Sequence, residues 1–399
     1  MFQPATRLAP IQEYYFSQKL REIEQLRQSG KSIINLGVGS PDLPPHPNVI
    51  QALQASAEPA QHHGYQSYQG TPALRHAFAD WYKRVYRVDL DPSKQILPLT
   101  GSKEGILHIS MAFLGADSAV LIPNPGYPTY AAASRLAGAT VYDYVPEAPD
   151  FSALAQQVQV HRDQQGGYAA VLAWLNYPHM PTGLPANRNL FQAWVDFAHA
   201  HQVMLVHDNP YSLVLHPEPI SILEMPGAFE VALELNSLSK SHQMAGWRIG
   251  MLAGRADAVA NVLRYKSQMD SGIFLPLQQA AAVALQLDDT YHQELQLTYR
   301  KRRNVGLRLF QLLGASVQEP QAGMFLWARI PPHYANSDAL SDALLHGAGV
   351  FLTPGHVFGS RGNDFIRLSL CSPEGVLEEA LQRIQQWMSS LTLNEFIDD

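Results

Sequence analysis

The stretch VALELNSLSKSHQMAGWRIGMLAG, residues 231–254, places one lysine between two runs that are typical of β-strands. The flanking runs are VALELNSL (231–238) and RIGMLAG (248–254), and Lys240 lies between them in a polar segment punctuated by glycine. An isolated lysine at such a turn would by default be a surface residue. The residues spaced around it therefore decide its interpretation.

Similar strand-like runs alternate with helical patterns from about residue 96 onward. Several runs are apolar on both faces, as strands covered by helices on both sides are. This alternation predicts an α/β fold with a large, doubly wound, mostly parallel sheet, whose sites lie at the carboxyl ends of the strands. The other runs are ILPLT (96–100), SAVLIPN (118–124), TVYDYV (140–145), AAVLAWLN (169–176) and VMLVHDN (203–209).

The pattern changes after residue 254 to long helical stretches, roughly 276–313, then short strand-like pieces and a final amphipathic helix near 374–391. This predicts a smaller α+β domain. We expect three parts, in which 1–49 form an N-terminal arm and part of the small domain, 50–285 the large cofactor-binding domain, and 286–399 the small C-terminal domain.

Composition narrows the classes of function. The 399 residues are 46% hydrophobic and carry a net charge of −7 without basic runs, so small molecules are better partners than nucleic acid or a membrane surface. The single cysteine and the absence of HExxH spacing argue against a metal site. The start resembles no secretory signal and no run reaches a membrane-span length, so we expect a cytoplasmic protein.

The spacing S-x-x-K-x7-R-x-G is present as Ser237, Lys240, Arg248 and Gly250. With this motif the chain resembles, over nearly its whole length, the fold-type I, pyridoxal phosphate-dependent aminotransferases of class I/II, which have the aspartate aminotransferase-like fold. The resemblance implies that Lys240 forms a Schiff base with the aldehyde of pyridoxal 5'-phosphate. A hydroxyl and a guanidinium suit a phosphate, so Ser237 and Arg248 are expected to contact that group.

Other motifs extend the cofactor site. The motif D-x-x-Y is present as Asp208 and Tyr211. The resemblance implies that the carboxylate faces the pyridine nitrogen and that the tyrosine hydrogen-bonds the phenolic oxygen. Taken alone, Asp208 could instead cap the turn after its strand. LTGSKEG (99–105) opens a helix after a strand and implies that Ser102 and Lys103 contact the phosphate.

Aromatic residues complete the expected cofactor site. In PNPGYPTY (123–130), Tyr127 is either the ring stacked on the pyridine face or ordinary core packing. In HGYQSYQGTPALR (63–75), the resemblance assigns Tyr65 to the phosphate of the neighbouring subunit's cofactor, which implies a homodimer with shared sites. The alternative is a plain turn with Tyr65 half buried.

Three residues are expected to bind substrate. GVGSPDLP (37–44) matches G-x-G-x-P-D, with Gly39 allowing a close approach of the substrate carboxylate. TPGHVFGSRGNDFIRLSL (353–370) assigns Arg367 to a bidentate grip on the α-carboxylate, with Arg361 as the weaker local competitor. Tyr14 aligns with an arm tyrosine that helps to hold the distal end of the substrate.

One position departs from the family pattern. Relatives carry N-P-T-G, whose asparagine hydrogen-bonds the phenolic oxygen of the cofactor, whereas this chain has NYPHMPTG with Met180 in that place. A thioether cannot donate that bond, so the Schiff base is expected to hold its proton to higher pH. Asn176 is a possible substitute donor.

The resemblance implies an aminotransferase of amino-acid biosynthesis, in which Lys240 shuttles the proton at the substrate Cα and a 2-oxo acid, 2-oxoglutarate, receives the amino group. Within the family the chain most resembles the LL-diaminopimelate aminotransferase-like branch. Alanine, methionine and aromatic amino acids remain alternative donors, and a carbon–sulfur β-lyase is an alternative reaction. A non-enzymatic regulator is disfavoured, because only about 50 arm-like residues precede the sheet domain and they are not basic.

Overall fold

The structure is a computed structural model that describes residues 2–216 and 218–395, with the last four of these described by their backbone alone. Its strands are β1 (Ile34–Asn35), β2 (Ile96–Leu99), β3 (Ala119–Pro123), β4 (Thr140–Tyr144), β5 (Val171–Leu175), β6 (Met204–Asp208), β7 (Ala232–Ser237), β8 (Gly250–Gly254), β9 (Ser316–Val317), β10 (Phe325–Arg329), β11 (Val350–Phe351), β12 (Thr353–Pro354) and β13 (Phe365–Ser369).

The α-helices fall between and after these strands. They are α1 (Tyr15–Gln28), α2 (Pro47–Ala57), α3 (Pro72–Tyr86), α4 (Ser102–Phe113), α5 (Pro128–Leu136), α6 (Phe151–Gln164), α7 (Arg188–His201), α8 (Ala228–Val231), α9 (Leu238–Ser241), α10 (Ala256–Lys266), α11 (Leu275–Ala284), α12 (Asp289–Leu313), α13 (Ser337–Ala343) and α14 (Glu374–Glu395).

A seven-stranded sheet organises the chain from β2 to β8, in the order β2-β8-β7-β6-β5-β3-β4. The predicted large, mostly parallel sheet is confirmed, and each of the seven predicted runs contains one of its strands. Strand β8 is antiparallel to both of its neighbours. The short connection from Ser237 to Gly250 reverses the chain, because a parallel return requires a longer crossover.

Helices cover both faces of this sheet and bury alternate residues of its strands. On one face Val206 and Leu235 pack in a cluster with residues of α4, α5 and α10. On the other face Leu205 and Ala173 pack with residues of α3, α7 and α11. Helices cover most of both faces with apolar contacts, so a site open to ligands is expected at the carboxyl ends of the strands.

The smaller sheet has the order β12-β13-β10-β9 and is antiparallel throughout. Helices α12 and α14 pack in the same apolar cluster as its buried residues. The N-terminal segment, which shows no sheet pattern of its own, nevertheless forms β1, which pairs in parallel with β11. A strand of two residues is too short to give an alternating pattern in the sequence, so this pairing is seen only in the structure. The boundaries at 49/50 and 285/286 stay a prediction.

None of the helices within residues 2–216 and 218–395 combines the length and the apolarity that a membrane crossing needs.

Two leucines of helix α12 test which face of the helix is buried against the smaller sheet. Leu309 is fully buried, whereas Leu297, about three turns earlier in the same helix, is 55% exposed. We expect Leu309→Ala to lower the free energy of unfolding by about 2–5 kcal/mol and Leu297→Ala to change it by less than about 0.5 kcal/mol. Urea unfolding of both variants checks this, and equal losses would contradict the assignment of the buried face.

Candidate active site

A cavity of about 580 Å³ lies at the carboxyl ends of the central strands and is also lined by residues of the N-terminal segment and of the smaller sheet. Eleven of the twelve predicted site residues line it, and Tyr65 does not. The eleven are Tyr14, Gly39, Ser102, Lys103, Tyr127, Asp208, Tyr211, Ser237, Lys240, Arg248 and Arg367.

Lys240 follows β7 on the short helix α9, whose first turn is capped by the Ser237 side chain. Its Nζ donates a hydrogen bond of 2.6 Å to the carbonyl oxygen of Gly39. Burial lowers the pKa of Lys240, and the positive charges of Arg367 and Arg248 lower it further. A lowered pKa increases the fraction of neutral amine, which is the form that attacks an aldehyde.

Asp208 ends β6 and lies at the bottom of the cavity. Its Oδ2 accepts a hydrogen bond of 2.7 Å from the Tyr130 hydroxyl, while its Oδ1 is buried without a partner among the described residues. Burial raises the pKa of Asp208 to about 6, and the Tyr130 hydrogen bond opposes that shift. A buried carboxylate oxygen without a partner suits a protonated ring nitrogen.

The opposite end of the cavity is built for an anion. Helix α4 begins at Ser102 directly after Gly101, whose φ is +83°. The positive φ favours glycine here, and a Cβ on Gly101 would lie 2.2 Å from Nη2 of Arg248, so glycine permits the close approach of the guanidinium to this helix start. Arg248 Nη1 donates to Ser239 Oγ at 3.2 Å, and Ser239 also accepts from Ser237 at 2.9 Å. Free helix N–H groups, two hydroxyls and a guanidinium together fit a phosphate.

Arg367 lies on β13 with its guanidinium enclosed by aromatic rings. Nη2 donates to the carbonyl oxygen of Gly37 at 2.7 Å, and Nε is buried without a partner among the described residues. Its Cζ is 4.0 Å from the ring centroid of Phe325 and 4.5 Å from that of Phe358. Burial lowers the pKa of Arg367 to about 10, so it remains charged at neutral pH and can bind a carboxylate.

Lys103 lines the same cavity and lies against two aromatic rings. Its Nζ is over the rings of Tyr14 and Tyr127, at 5.1 Å and 6.0 Å from their centroids. Tyr14 in turn is 5.5 Å from Phe16, whose ring faces Arg367 at 5.6 Å. One aromatic wall therefore presents two cations to the same cavity.

Met180 lines the cavity, 5% exposed, with its sulfur 3.3 Å from Nη1 of Arg367. Asn176 also lines the cavity, but its Oδ1 accepts from the N–H of Met180 at 2.8 Å and its Nδ2 donates to the carbonyl oxygen of Asp208 at 2.7 Å. Because both ends of the amide are bound to backbone, Asn176 is not a free donor in this arrangement.

The remaining predicted residues are placed as follows. Tyr211 packs edge-on against Phe325 at 5.9 Å, and burial raises its pKa. Gly39 also lies against Phe325, since a Cβ there would be 2.2 Å from the ring. Tyr65 is 94% exposed and lies away from the cavity. Arg361 lines a different cleft.

Sequence reasoning missed Tyr130, Ser239 and the aromatic rings around Arg367. Tyr130 lies three residues after Tyr127, one helical turn along α5, which is the signal that could have paired it with the same site. Ser239 lies inside the lysine motif itself. The rings around Arg367 come from distant parts of the chain, and no local pattern joins them.

Comparison with known proteins decides the family. The sequence model of aminotransferase class I and II matches residues 31–384. The chain belongs to this family. The aminotransferase is 41% identical to an LL-diaminopimelate aminotransferase of Oleidesulfovibrio alaskensis over 387 residues, which are 96% of this chain and 98% of that protein. A protein of the same name from Moorella thermoacetica is 36% identical over 392 residues, again 96% of this chain and 98% of that protein.

Solved structures agree with the sequence relatives. BacF of Bacillus subtilis superposes with a TM-score of 0.89 at 32% identity, covering 97% of this chain and 98% of that chain. A probable N-succinyldiaminopimelate aminotransferase from Thermus thermophilus gives 0.84 at 31% identity, covering 93% and 99%. The expected aspartate aminotransferase-like fold, the resemblance to the LL-diaminopimelate aminotransferase branch and the transaminase activity are confirmed, and the carbon–sulfur lyase is not favoured.

Aminotransferases of this class use pyridoxal 5'-phosphate, and the residues of this chain fit that cofactor. Asp208 presents an unpartnered buried oxygen at one end of the cavity, and the glycine-lined start of α4 with Arg248 forms an anion site at the other. Lys240 supplies an amine on the cavity wall. Among the described residues, no three histidine, cysteine, aspartate or glutamate side chains are grouped to hold a metal ion.

The raised pKa of Asp208 makes the stability of the cofactor-free protein depend on pH. The pKa of Asp208 is about 6 in the folded state and 3.8 ordinarily. Between these pH values the folded state therefore binds more protons than the unfolded state. As pH rises through this range, ionisation of the carboxylate increasingly destabilises the folded state. We expect Asp208→Asn to stabilise the apoprotein by roughly 1 kcal/mol more at pH 8 than at pH 5. Urea unfolding at both pH values measures this, and equal effects would contradict a buried carboxylate.

Proposed function

We propose that this aminotransferase moves the amino group of LL-diaminopimelate to 2-oxoglutarate, in the cytoplasm, as a homodimer with shared active sites. The observation that carries the substrate proposal is the pair of cations on one aromatic wall, Arg367 and Lys103. The names of the relatives from Oleidesulfovibrio alaskensis and Moorella thermoacetica support the same donor.

Two cations in one cavity favour a substrate with two carboxylates. Arg367 keeps an unpartnered Nε for the carboxylate next to the reacting carbon, which its planar fork can bind in a bidentate manner. Lys103 has contacts with two tyrosine rings and lies at the outer wall, where a second carboxylate would neutralise it. Diaminopimelate and 2-oxoglutarate both carry such a second carboxylate, whereas alanine, methionine and aromatic amino acids do not.

In the proposed mechanism, Lys240 would hold the cofactor through its amine, Asp208 would bind the pyridine nitrogen and Tyr211 would donate to the phenolic oxygen. Ser102, Ser237 and Arg248 would bind the phosphate, and Tyr127 would cover the ring face. The bound cofactor supplies an electron-accepting ring that stabilises negative charge at the substrate Cα.

The chain's own residues then do two things. Arg367 and Gly39 orient the substrate carboxylate. The Nζ of Lys240 would remove the proton from Cα and later return it, and burial favours the neutral amine that this requires.

A donor screen tests the substrate proposal. We expect LL-diaminopimelate to convert the cofactor from its yellow form to the pyridoxamine form, and 2-oxoglutarate to reverse this, while alanine, methionine and tyrosine react at least tenfold more slowly. Lys103→Ala should raise the KM for 2-oxoglutarate about tenfold and that for pyruvate less than about twofold, because only the former has a distal carboxylate. Equal changes for both acceptors, or a fast reaction with alanine alone, would overturn the proposal.

Met180 provides a spectroscopic prediction. An asparagine there could donate to the phenolic oxygen and favour loss of the proton between Lys240 and the cofactor, so Met180→Asn should move the midpoint of the pH-dependent absorbance change about one unit lower. Met180→Leu keeps an apolar side chain without a donor and should leave the midpoint in place. An unchanged midpoint in the asparagine variant would show that position 180 does not contact that oxygen.

The homodimer proposal is supported by exposed large side chains in two neighbouring segments, residues 63–68 and 269–274. Tyr65 is 94% exposed, Met269 58% and Phe274 41%. Gly272 lies tightly against the backbone of Gln66, where a Cβ would be 2.5 Å from the carbonyl oxygen. Large exposed apolar side chains clustered in this way are typical of an interface.

Mixed dimers test whether sites are shared. Lys240→Ala and Tyr65→Ala should each be nearly inactive alone. Coexpression should restore about a quarter of wild-type activity, because half of the dimers are mixed and each has one site with both residues intact. Activity no greater than the sum of the separate variants would show that Tyr65 does not serve the neighbouring site.

A further inference from the structure

On the face of the large sheet opposite the active-site cavity, one buried carboxylate accepts hydrogen bonds from five donors. Glu234 lies in the middle of β7 and is fully buried. Side chains alternate along a strand, so Glu234 points away from the face on which Leu233 and Leu235 pack. The donors are Tyr82 at 2.7 Å and Asn209 at 3.3 Å to Oε1, and His207 at 2.9 Å, Ser221 Oγ at 2.8 Å and the Ile222 N–H at 3.0 Å to Oε2.

His207 is the cross-strand neighbour of Glu234 and is also fully buried. Its Nε2 lies 2.9 Å from the carbonyl oxygen of Tyr177, which can only accept, so Nε2 carries a proton. Its Nδ1 lies 2.9 Å from Oε2 of Glu234, which accepts two of the four other hydrogen bonds of that carboxylate. One proton must lie between these two atoms, because neither could otherwise donate to the other. The two residues therefore form a buried hydrogen-bonded pair, and removing one partner leaves the other without its buried contact.

This pair joins the segments that carry the active-site residues. Through Tyr177, His207 holds the loop after β5, which continues into Met180 on the cavity wall. Through Asn209, Ser221 and Ile222, Glu234 holds the segment after β6, which contains Tyr211.

The pair also acts on Asp208 through space. Asp208 follows His207 directly in β6, so their side chains lie on opposite faces of the same strand. The positive charge of His207 lowers the pKa of Asp208, against the dominant effect of burial, and the charge of Glu234 raises it by a smaller amount.

We propose that His207 and Glu234 form an ion pair and are positioning residues for transamination, which together hold Asp208 in the place that the pyridine nitrogen of the cofactor requires. This inference rests on the proposed role of Asp208. Neither residue touches the cavity, so their effect on the reaction passes through Asp208 and through the loops that they join.

The test compares two ligands of the apoenzyme by fluorescence titration: pyridoxal 5'-phosphate and its 1-deaza analogue, in which a C–H replaces the ring nitrogen. We expect Glu234→Gln and His207→Gln to weaken binding of pyridoxal phosphate about tenfold, the scale of one weakened charged hydrogen bond, and binding of the analogue less than about twofold. Tyr82→Phe is the matched control, because it removes a neutral donor from the same carboxylate and keeps the ion pair. It should change both affinities less than about twofold.

The outcomes are distinct. Equal losses of affinity for both ligands in Glu234→Gln and His207→Gln would overturn the inference, because the pair would then act only on general stability. A selective loss of affinity for pyridoxal phosphate of the same size in Tyr82→Phe would also overturn it, because the effect would then not depend on the ion pair. Asp208→Asn distinguishes a failure of this inference from a failure of the proposed function. If that variant keeps the preference for the nitrogen-containing ring, the role of Asp208 itself is wrong. If it loses the preference while Glu234→Gln and His207→Gln keep it, only the positioning role is wrong.

A measurement on the wild-type chain keeps the inference falsifiable if the variants do not fold. Nitrogen-15 NMR spectra of histidine-labelled apoenzyme at neutral pH should show both ring nitrogens of His207 protonated. The His207→Gln variant, or a neighbouring substitution where that variant is insoluble, assigns the signal. A neutral His207 ring would overturn the proposal.

Discussion

The parallel pairing of β6 with β7 is the constraint on which the site depends. Their register places Asp208 opposite Leu235, so the chain leaving β7 delivers Lys240 to the same edge of the sheet at which the Asp208 carboxylate ends β6. Parallel strands have their carboxyl ends at one edge, and here that edge brings a carboxylate, an amine and the anion site of α4 around one cavity. A shift of one residue in this register would turn Asp208 to the opposite face and remove it from the cavity.

Burial sets the chemistry of the groups that meet at this edge, and it acts with opposite sign on acids and bases. It raises the pKa of Asp208 and lowers those of Lys240 and Arg367. The carboxylate therefore needs a positive partner, the lysine is biased toward its neutral form, and the arginine needs a negative ligand. These needs match the ring nitrogen, aldehyde and carboxylate that an aminotransferase brings together. His207, on the opposite face of β6, lowers the pKa of Asp208 and so opposes the effect of burial.

Contacts between distant parts of the chain complete the site. The N-terminal segment supplies carbonyl oxygens that accept from Lys240 and Arg367, at Gly39 and Gly37. Asp42 and Arg302 anchor the far end of that segment through two hydrogen bonds of 2.7 and 2.8 Å. The N-terminal segment, the large sheet and the smaller sheet therefore form the cavity together. A change in any of them alters the surroundings of Lys240 and Arg367.

The sequence by itself determined the alternation of strands and helices, and with it the parallel sheet. It also determined the spaced motif around Lys240, because hydrophobic periodicity and residue identity are local properties of the chain. Only the tertiary structure decided which other residues these residues contact and how deeply they are buried. The unpartnered oxygen of Asp208, the commitment of Asn176 to backbone, the place of Lys103 over Tyr14 and the buried pair of His207 with Glu234 each depend on residues far apart in sequence. Burial and hydrogen-bond partners are properties of packing, and no periodicity in a single sequence encodes them.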